Sequence, residues 1–114
     1  MSLRVLVVED EMTIALLIED MLTELGCEVV KLAMRLAPAE ACAREAAMDF
    51  AILDVNLDGR LSFSVAEILK ARGVPFAFAT GYGPSGIDPR FADYPVINKP
   101  FDLRALKAAL PAEA

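Results

Sequence analysis

Five polar side chains that could handle a phosphoryl group each follow a short apolar segment of the chain. They are Glu9, Asp10, Asp54, Thr80 and Lys99. Carboxylates that share a site repel one another, and a divalent cation such as Mg²⁺ relieves that repulsion because it prefers oxygen ligands. A carboxylate beside a bound metal can attack a phosphoryl group, while a lysine and a hydroxyl hold the phosphoryl oxygens. These residue types therefore predict Mg²⁺-dependent phosphoryl chemistry on a carboxylate.

The apolar pattern of the chain predicts strands and helices in alternation. Short apolar segments typical of buried strands lie at 3–8, 28–32, 50–53, 76–79 and 96–98. Helical spacing of apolar residues predicts helices at 12–25, from Pro38 to about 47, at 64–72 and at about 103–110. The glycines and prolines of residues 81–89 predict a loop, with at most a short, poorly packed helix near 88–93.

Five strands and about five helices predict an α/β fold with one domain over residues 1–114. The expected architecture is a doubly wound, flavodoxin-like (βα)5 parallel sheet with strand order 2-1-3-4-5. Ligands of such sheets bind beyond the carboxyl ends of the strands. Strands 1, 3, 4 and 5 are neighbours in this order, so we expect the five polar side chains to converge on one shallow pocket.

The composition narrows the class of protein. The net charge is −6 and the chain has no basic cluster, so direct nucleic-acid binding is not expected. The chain has no histidine, so it cannot carry a phosphohistidine. Its apolar runs are too short to cross a bilayer, and no secretion signal precedes the first strand, so a cytoplasmic protein is expected.

Each of the five residues has an ordinary structural explanation when it is taken alone. Acidic residues after a strand interact favourably with the N-terminus of the next helix, which would account for Glu9 and Asp10. Asp54 and Thr80 belong to types that are common in turns, and Lys99 could be a solvated surface lysine. The whole set in this order is more specific than any of its members.

With these residues in view, the chain resembles the CheY-like receiver domain of response regulators over essentially its whole length. The matching segments are residues 5–11 (VLVVEDE), 51–57 (AILDVNL), 78–81 (FATG) and 98–101 (NKPF). The resemblance implies a stand-alone switch that a sensor histidine kinase phosphorylates. Such a protein catalyses only its own phosphotransfer and dephosphorylation, and it signals through contacts with a downstream protein.

The resemblance also implies a role for each residue of the acidic site. Asp54 would be the phosphoacceptor. Asp10 would bind Mg²⁺ directly, and Glu9 would act beside it through water. The backbone carbonyl of Asn56 would complete the metal shell, with its side chain near the attacking water.

The switch residues follow from the same resemblance. Thr80 would be the hydroxyl that turns toward the phosphoryl group, and Lys99 would pair with a phosphoryl oxygen, before a cis bond to Pro100. Most receivers carry an aromatic residue three positions before this lysine, where the chain has Val96. Tyr82 is the candidate substitute for that aromatic, although it could also be an exposed loop residue.

The segment 75–83 (PFAFATGYG) resembles a divergent receiver subgroup found largely in alphaproteobacteria. This subgroup is named for a Phe-Ala-Thr-Gly-aromatic-Tyr-like motif and is linked to sensor kinases of the HWE and HisKA2 types. The expected partners are such a kinase and a downstream protein, with no nucleic acid and no membrane. The chain is expected to be a monomer or a weak homodimer, and its residues 81–93 are expected to become ordered on phosphorylation.

Two other functions are open at this point. Haloacid-dehalogenase-type phosphatases use similar residues, but their nucleophile follows the first strand in an Asp-x-Asp motif, which Asp54-Val55-Asn56 lacks. A binding module that kept the fold but not the phosphorylation is the other alternative, and Val96 favours it. Only four residues follow the last predicted helix, so we expect the signal to leave through protein contacts instead of an output domain.

Overall fold

The computed structural model describes residues 2–81 and 83–111. Its elements are, in chain order, β1 (Arg4–Val8), α1 (Met12–Glu24), β2 (Glu28–Ala33), α2 (Leu36–Glu45), β3 (Phe50–Asp54), β4 (Asn56–Leu57), β5 (Arg60–Leu61), α3 (Phe63–Arg72), β6 (Phe76–Thr80), β7 (Val96–Asn98) and α4 (Leu103–Ala109). Two short 3-10 helices, Gly83–Gly86 and Pro89–Phe91, lie between β6 and β7.

The central sheet is parallel and has the order β2-β1-β3-β6-β7. When its five strands are counted along the chain, this is the predicted order 2-1-3-4-5, so the flavodoxin-like fold is confirmed. The strand bounds expected from the apolar pattern are correct to within one residue. Within the described ranges no helix has the length and apolar character that a membrane span needs.

Side chains on the two faces of the sheet form two separate cores. On β1, Leu6 and Val8 pack into the core beneath α2 and α3. Val5 and Val7 alternate with them and pack into the core beneath α1 and α4. A strand buried on both faces must be apolar at every position, which explains why the central strands lack an alternating polar pattern.

The chain after β3 forms a short hairpin that the apolar pattern did not predict. Strands β4 and β5 pair antiparallel, with Asn56 opposite Leu61 and Leu57 opposite Arg60. They form a hairpin with a two-residue turn. The turn between them is Asp58-Gly59, and both residues have positive φ, 50° and 88°. The Asp-Gly dipeptide favours this left-handed geometry, so the hairpin has a clear cause in the sequence.

The region before β7 also differs from its prediction, which was a loop with at most a poorly packed helix near 88–93. The 3-10 helix Pro89–Phe91 lies there, but its last residue is 1% exposed. Phe91 packs in an aromatic cluster of five rings, whose members are Phe63, Phe76, Phe78, Phe91 and Tyr94. Five glycines and prolines in residues 81–89 predicted a loop, but they do not report the apolar residue Phe91 that follows them.

Candidate functional site

Four of the predicted site residues stand at the carboxyl ends of neighbouring strands. Glu9 follows β1, Asp54 ends β3, Thr80 ends β6 and Lys99 follows β7. The strand register aligns these ends, because β1 pairs with β3, β3 with β6, and β6 with β7. Asp10 lies next to Glu9, so the structure brings the predicted side chains to one edge of the sheet.

Three carboxylates meet at this edge. Glu9, Asp10 and Asp54 each offer an oxygen, and these oxygens lie within 4.8 Å of one another. Glu9 is 1% exposed and Asp54 is 8% exposed, so water screens their charges only weakly. Oxygen ligands at this spacing fit a hard divalent cation such as Mg²⁺, which commonly takes one or two carboxylates and completes its shell with water and phosphate oxygens.

Lys99 supplies the positive charge of the site. Its Nζ lies 2.7 Å from Glu9 Oε1 and 3.2 Å from Asp54 Oδ2. When all three carboxylates are ionised, the ammonium of Lys99 compensates one of their charges and leaves an excess of two negative charges. A divalent cation would neutralise that excess, so the charge of the site agrees with the chemistry of its donor atoms.

The pKa of Asp54 reflects this crowding. Burial and the nearby Glu9 carboxylate raise the pKa of Asp54 to about 7, although Lys99 opposes the shift. For Lys99 the balance is different, because burial acts to lower its pKa but the hydrogen bond to Glu9 and the charge of Asp54 raise it above the usual value. The lysine therefore stays charged, while the aspartate is a group that loses its proton near neutral pH.

Asp10 is held from the opposite side by the hairpin. The backbone N–H of Asp58 donates to Asp10 Oδ2 at 3.0 Å. Burial acts to raise the pKa of Asp10, but hydrogen bonds involving Glu9, Asp54 and the Asp58 amide bring it below the ordinary value. The sequence contained no direct sign of this contact, although the Asp58-Gly59 dipeptide could have revealed the turn that makes it.

Asn56 and Thr80 lie at the margin of the acidic triplet. The side chain of Asn56 is engaged in the hairpin turn, where its Oδ1 accepts from the N–H of Gly59 at 2.7 Å. Thr80 is buried, and its backbone carbonyl accepts from the N–H of Lys99 at 2.9 Å. The metal-binding role of the Asn56 carbonyl and the switching role of the Thr80 hydroxyl stay predictions.

The predicted switch residues have different outcomes. The Lys99–Pro100 bond is cis, as expected. Val96 lies in β7 and is half-buried, and Tyr94 precedes that strand and stacks on Phe76 with ring centroids 4.0 Å apart. Tyr82 lies outside the described residues, so its proposed role in place of the missing aromatic stays a prediction.

The family model of the response regulator receiver domain matches residues 5–111. The solution structure of SdrG from Sphingomonas melonis Fr1 shares 43% sequence identity and a TM-score of 0.85, with 95% of this chain and 92% of that chain covered. None of the curated proteins compared with the chain matches it.

Two further structures show how the similarity extends. The BeF3-activated conformation of SdrG, from Pseudomonas melonis Fr1, has 42% identity and a TM-score of 0.78, with 95% of this chain and 93% of that chain covered. The response regulator PhyR from Brucella abortus has 31% identity and a TM-score of 0.81, and the match covers 96% of this chain and 46% of PhyR. The chain is thus more similar to the first SdrG structure than to the BeF3-activated one.

Proposed function

Because the chain belongs to the response regulator receiver domain family, we propose that it is a phosphorylation switch whose phosphoacceptor is Asp54. Receiver domains bind Mg²⁺ at an acidic pocket and interact with kinases and effectors. The observation that carries the proposal is the position of Lys99 between two carboxylates, with Nζ 2.7 Å from Glu9 and 3.2 Å from Asp54. A phosphoryl group on Asp54 would find this ammonium already within reach of its oxygens.

Asp10 and Asp54 would hold the Mg²⁺ ion, with Glu9 beside them and the carbonyl of Asn56 completing the shell. When bound, the ion supplies charge neutralisation at the carboxylates and at the incoming phosphoryl oxygens. The excess of two negative charges among the four groups supports this assignment. Lys99 offsets part of the repulsion and holds Asp54 in place through the bond to Oδ2.

Asp54 is the nucleophile in this proposal. A carboxylate attacks only when it is ionised, and burial together with Glu9 raises the pKa of Asp54 to about 7. The ammonium of Lys99 favours the ionised form. The attacking oxygen forms a bond to phosphorus, the bond from phosphorus to the donor's imidazole nitrogen breaks, and the imidazole leaves. The receiver would later catalyse hydrolysis of its own acyl phosphate, which resets the switch.

The new phosphoryl group would change the surface that follows β6. It adds negative charge and acceptor oxygens next to Thr80, which directly precedes residues 81–101, and next to Lys99, which lies within them. Thr80 would donate its hydroxyl to a phosphoryl oxygen, and residues 81–93 would become more ordered. A downstream protein would then bind the face that this region forms with β7 and α4.

The phosphodonor would dock on an apolar groove beside the site. Ile14, Leu17 and Met21 of α1 line one wall, and Pro100 and Phe101 line the other. The groove also reaches Lys99, and Leu17 is 53% exposed although it is apolar. An apolar surface that begins at the site edge suits a kinase domain which must bring its phosphohistidine to Asp54.

We further propose that the donor is a sensor histidine kinase of the HWE or HisKA2 type, and that the chain works in the cytoplasm as a monomer or weak homodimer. The resemblance of residues 75–83 to the alphaproteobacterial subgroup supports the kinase type. The docking surface predicts that Leu17→Ala slows transfer from the kinase several-fold but leaves labelling by acetyl phosphate unchanged. Leu16→Ala is the matched control, because Leu16 is similarly exposed but does not line the groove.

Phosphotransfer to Asp54→Asn tests the proposed function. The variant should accept no label from a cognate kinase or from acetyl phosphate, while its circular dichroism spectrum stays that of the wild type. Asp49→Asn is a suitable control, because Asp49 precedes β3 at the opposite end of the strand. Labelling of Asp54→Asn at the wild-type rate would overturn the assignment.

A further inference from the structure

The β4–β5 hairpin contacts the acidic site through one backbone group. The N–H of Asp58, in the turn, donates to Oδ2 of Asp10 across 48 residues of sequence. We propose that the Asp58-Gly59 turn is a positioning element, which aims the Asp10 carboxylate for binding a divalent cation. The inference rests on the proposed function, since it assumes that Asp10 is a metal ligand.

Asp10 needs such a partner more than the other two carboxylates do. Lys99 forms its ion pairs with Glu9 and Asp54, and both of these carboxylates are buried. Asp10 is more exposed, and its acidic neighbours repel it when all three groups are ionised. A neutral N–H donor fixes the carboxylate without adding a charge that would compete with the cation.

The direction of this N–H depends on the unusual backbone of the turn. Asp58 and Gly59 have φ values of 50° and 88°, in the left-handed region. Asn56 Oδ1 closes the turn by accepting from the Gly59 N–H, and Ser62 N–H donates to the Val55 carbonyl at 2.9 Å at the base of the hairpin. A turn that relaxes toward negative φ would rotate the Asp58 peptide and move its N–H away from Asp10.

Gly59 offers a way to disturb the turn through backbone conformation alone. A Cβ built on Gly59 meets no atom within 4 Å, so the positive φ is what disfavours a side chain there. Gly26 and Gly73 give two matched controls, because they have φ values of 83° and 74° and are also free of contacts within 4 Å. They follow α1 and α3, at the amino-terminal end of the strands, away from the acidic site.

The test is calorimetric titration of the full chain with MgCl2, for wild type and three variants. Gly59→Ala should raise the Mg²⁺ dissociation constant about tenfold, which is the size of effect seen when a hydrogen bond to a metal ligand is lost. Gly26→Ala and Gly73→Ala should lower the melting temperature by about as much as Gly59→Ala does. They should nevertheless bind Mg²⁺ with the affinity of the wild type. Equal affinity of Gly59→Ala and wild type, or equal weakening in the controls, would overturn the proposal.

A fourth variant separates the amide of Asp58 from its side chain. Asp58→Asn keeps the N–H and a residue that tolerates positive φ, but it removes the charge. Its Mg²⁺ affinity should stay within about threefold of wild type, given that one exposed charge has a small effect. A loss as large as that of Gly59→Ala would assign the effect to the Asp58 carboxylate and overturn the positioning role.

One spectroscopic measurement covers the case in which Gly59→Ala does not fold. The amide proton of Asp58 should resonate downfield in wild type and move upfield in Asp10→Ala, while the amide of Gly59 keeps its shift. An Asp58 amide that does not respond would contradict the contact on which the inference depends. Wild-type protein that binds no Mg²⁺ would instead refute the proposed function, so the two failures are distinguishable.

Discussion

Strand β6 contributes to two regions of the molecule that are stabilised in opposite ways. Its last residue, Thr80, borders the acidic site, and its Phe76 and Phe78 belong to the aromatic cluster. The cluster gains stability because buried rings pack edge-to-face and stacked. The acidic site lowers the stability of the fold near neutral pH, because its partly buried carboxylates repel one another. One strand thus joins a region built for binding to a region built for rigidity.

This difference indicates how the chain keeps a fixed fold around a repulsive site. Phe91 is buried between α3 and β6 and anchors the short 3-10 helices before β7. The anchor lies between Thr80 and Lys99 along the chain. Variants of the cluster should therefore change the free energy of unfolding strongly at every pH, while variants of the site should have effects that depend on pH and Mg²⁺.

The largest loss of stability is expected from Phe91→Ala. Phe91 is surrounded by Phe63, Phe76, Phe78 and Tyr94, with ring centroids 5.8–6.1 Å away. Removal of a buried ring leaves a cavity and should lower the free energy of unfolding by about 3–5 kcal/mol in urea denaturation. Phe101→Ala is the control, because Phe101 is only half-buried and should cost less. A loss equal to that of the control would show that the cluster is not an anchor.

A smaller, pH-dependent loss is expected from Lys99→Met. The variant removes the ammonium between Glu9 and Asp54, so at pH 8 the carboxylates face each other without it. The free energy of unfolding should fall on the order of 2 kcal/mol at pH 8 and by less at pH 5, where Asp54 is protonated. Lys107→Met, at an exposed position of α4, should change little at either pH. Equal losses at the two pH values would contradict the electrostatic explanation.

The third expected effect is a gain of stability in Asp54→Asn without metal. The pKa of Asp54 is raised from 3.8 to about 7 in the fold. Between these values the folded protein holds a proton that the unfolded chain has released, so rising pH favours unfolding. Wild-type stability should therefore fall across this window, and the asparagine variant should avoid that part of the decline and be the more stable protein at pH 8.

Saturating Mg²⁺ should reverse the order of those two proteins. The cation stabilises the ionised carboxylates of wild type, and it has one ligand fewer in the variant. Thermal unfolding at pH 8, with EDTA and then with MgCl2, measures both conditions. If wild type is the more stable protein in EDTA, repulsion at Asp54 is not the dominant effect.

The smallest effect is expected from Arg90→Met. Arg90 forms ion pairs with Glu67 of α3 and with Asp88, and its side chain is about half exposed. Exposed ion pairs contribute little, so the loss of global stability should stay below about 1 kcal/mol. Amide hydrogen exchange at residues 88–92 should nevertheless increase, since the guanidinium links this segment to α3. Arg104→Met on α4 should leave exchange in that segment unchanged.

The sheet was predictable because its physical cause is local. Apolar segments such as Phe50–Leu53 need burial on both faces, which fixes their place in a parallel sheet, and parallel strands align their carboxyl ends. Those two rules were enough to bring Glu9, Asp54 and Lys99 together. The hairpin contact between Asp58 and Asp10 and the burial of Phe91 were missed, since both depend on tertiary packing that apolar periodicity does not report.

The position of each residue in the sheet order also gives the site a stiff half and a compliant half. Glu9 follows β1 and Asp54 ends β3, and both strands are paired on both sides. Lys99 instead follows β7, which is three residues long and lies at the end of the strand order. Displacing an end strand breaks hydrogen bonds along one border only. A charge placed on Asp54 would therefore pull Lys99 toward the aspartate. The displacement of Lys99 would extend to β7, the strand at the border of the sheet.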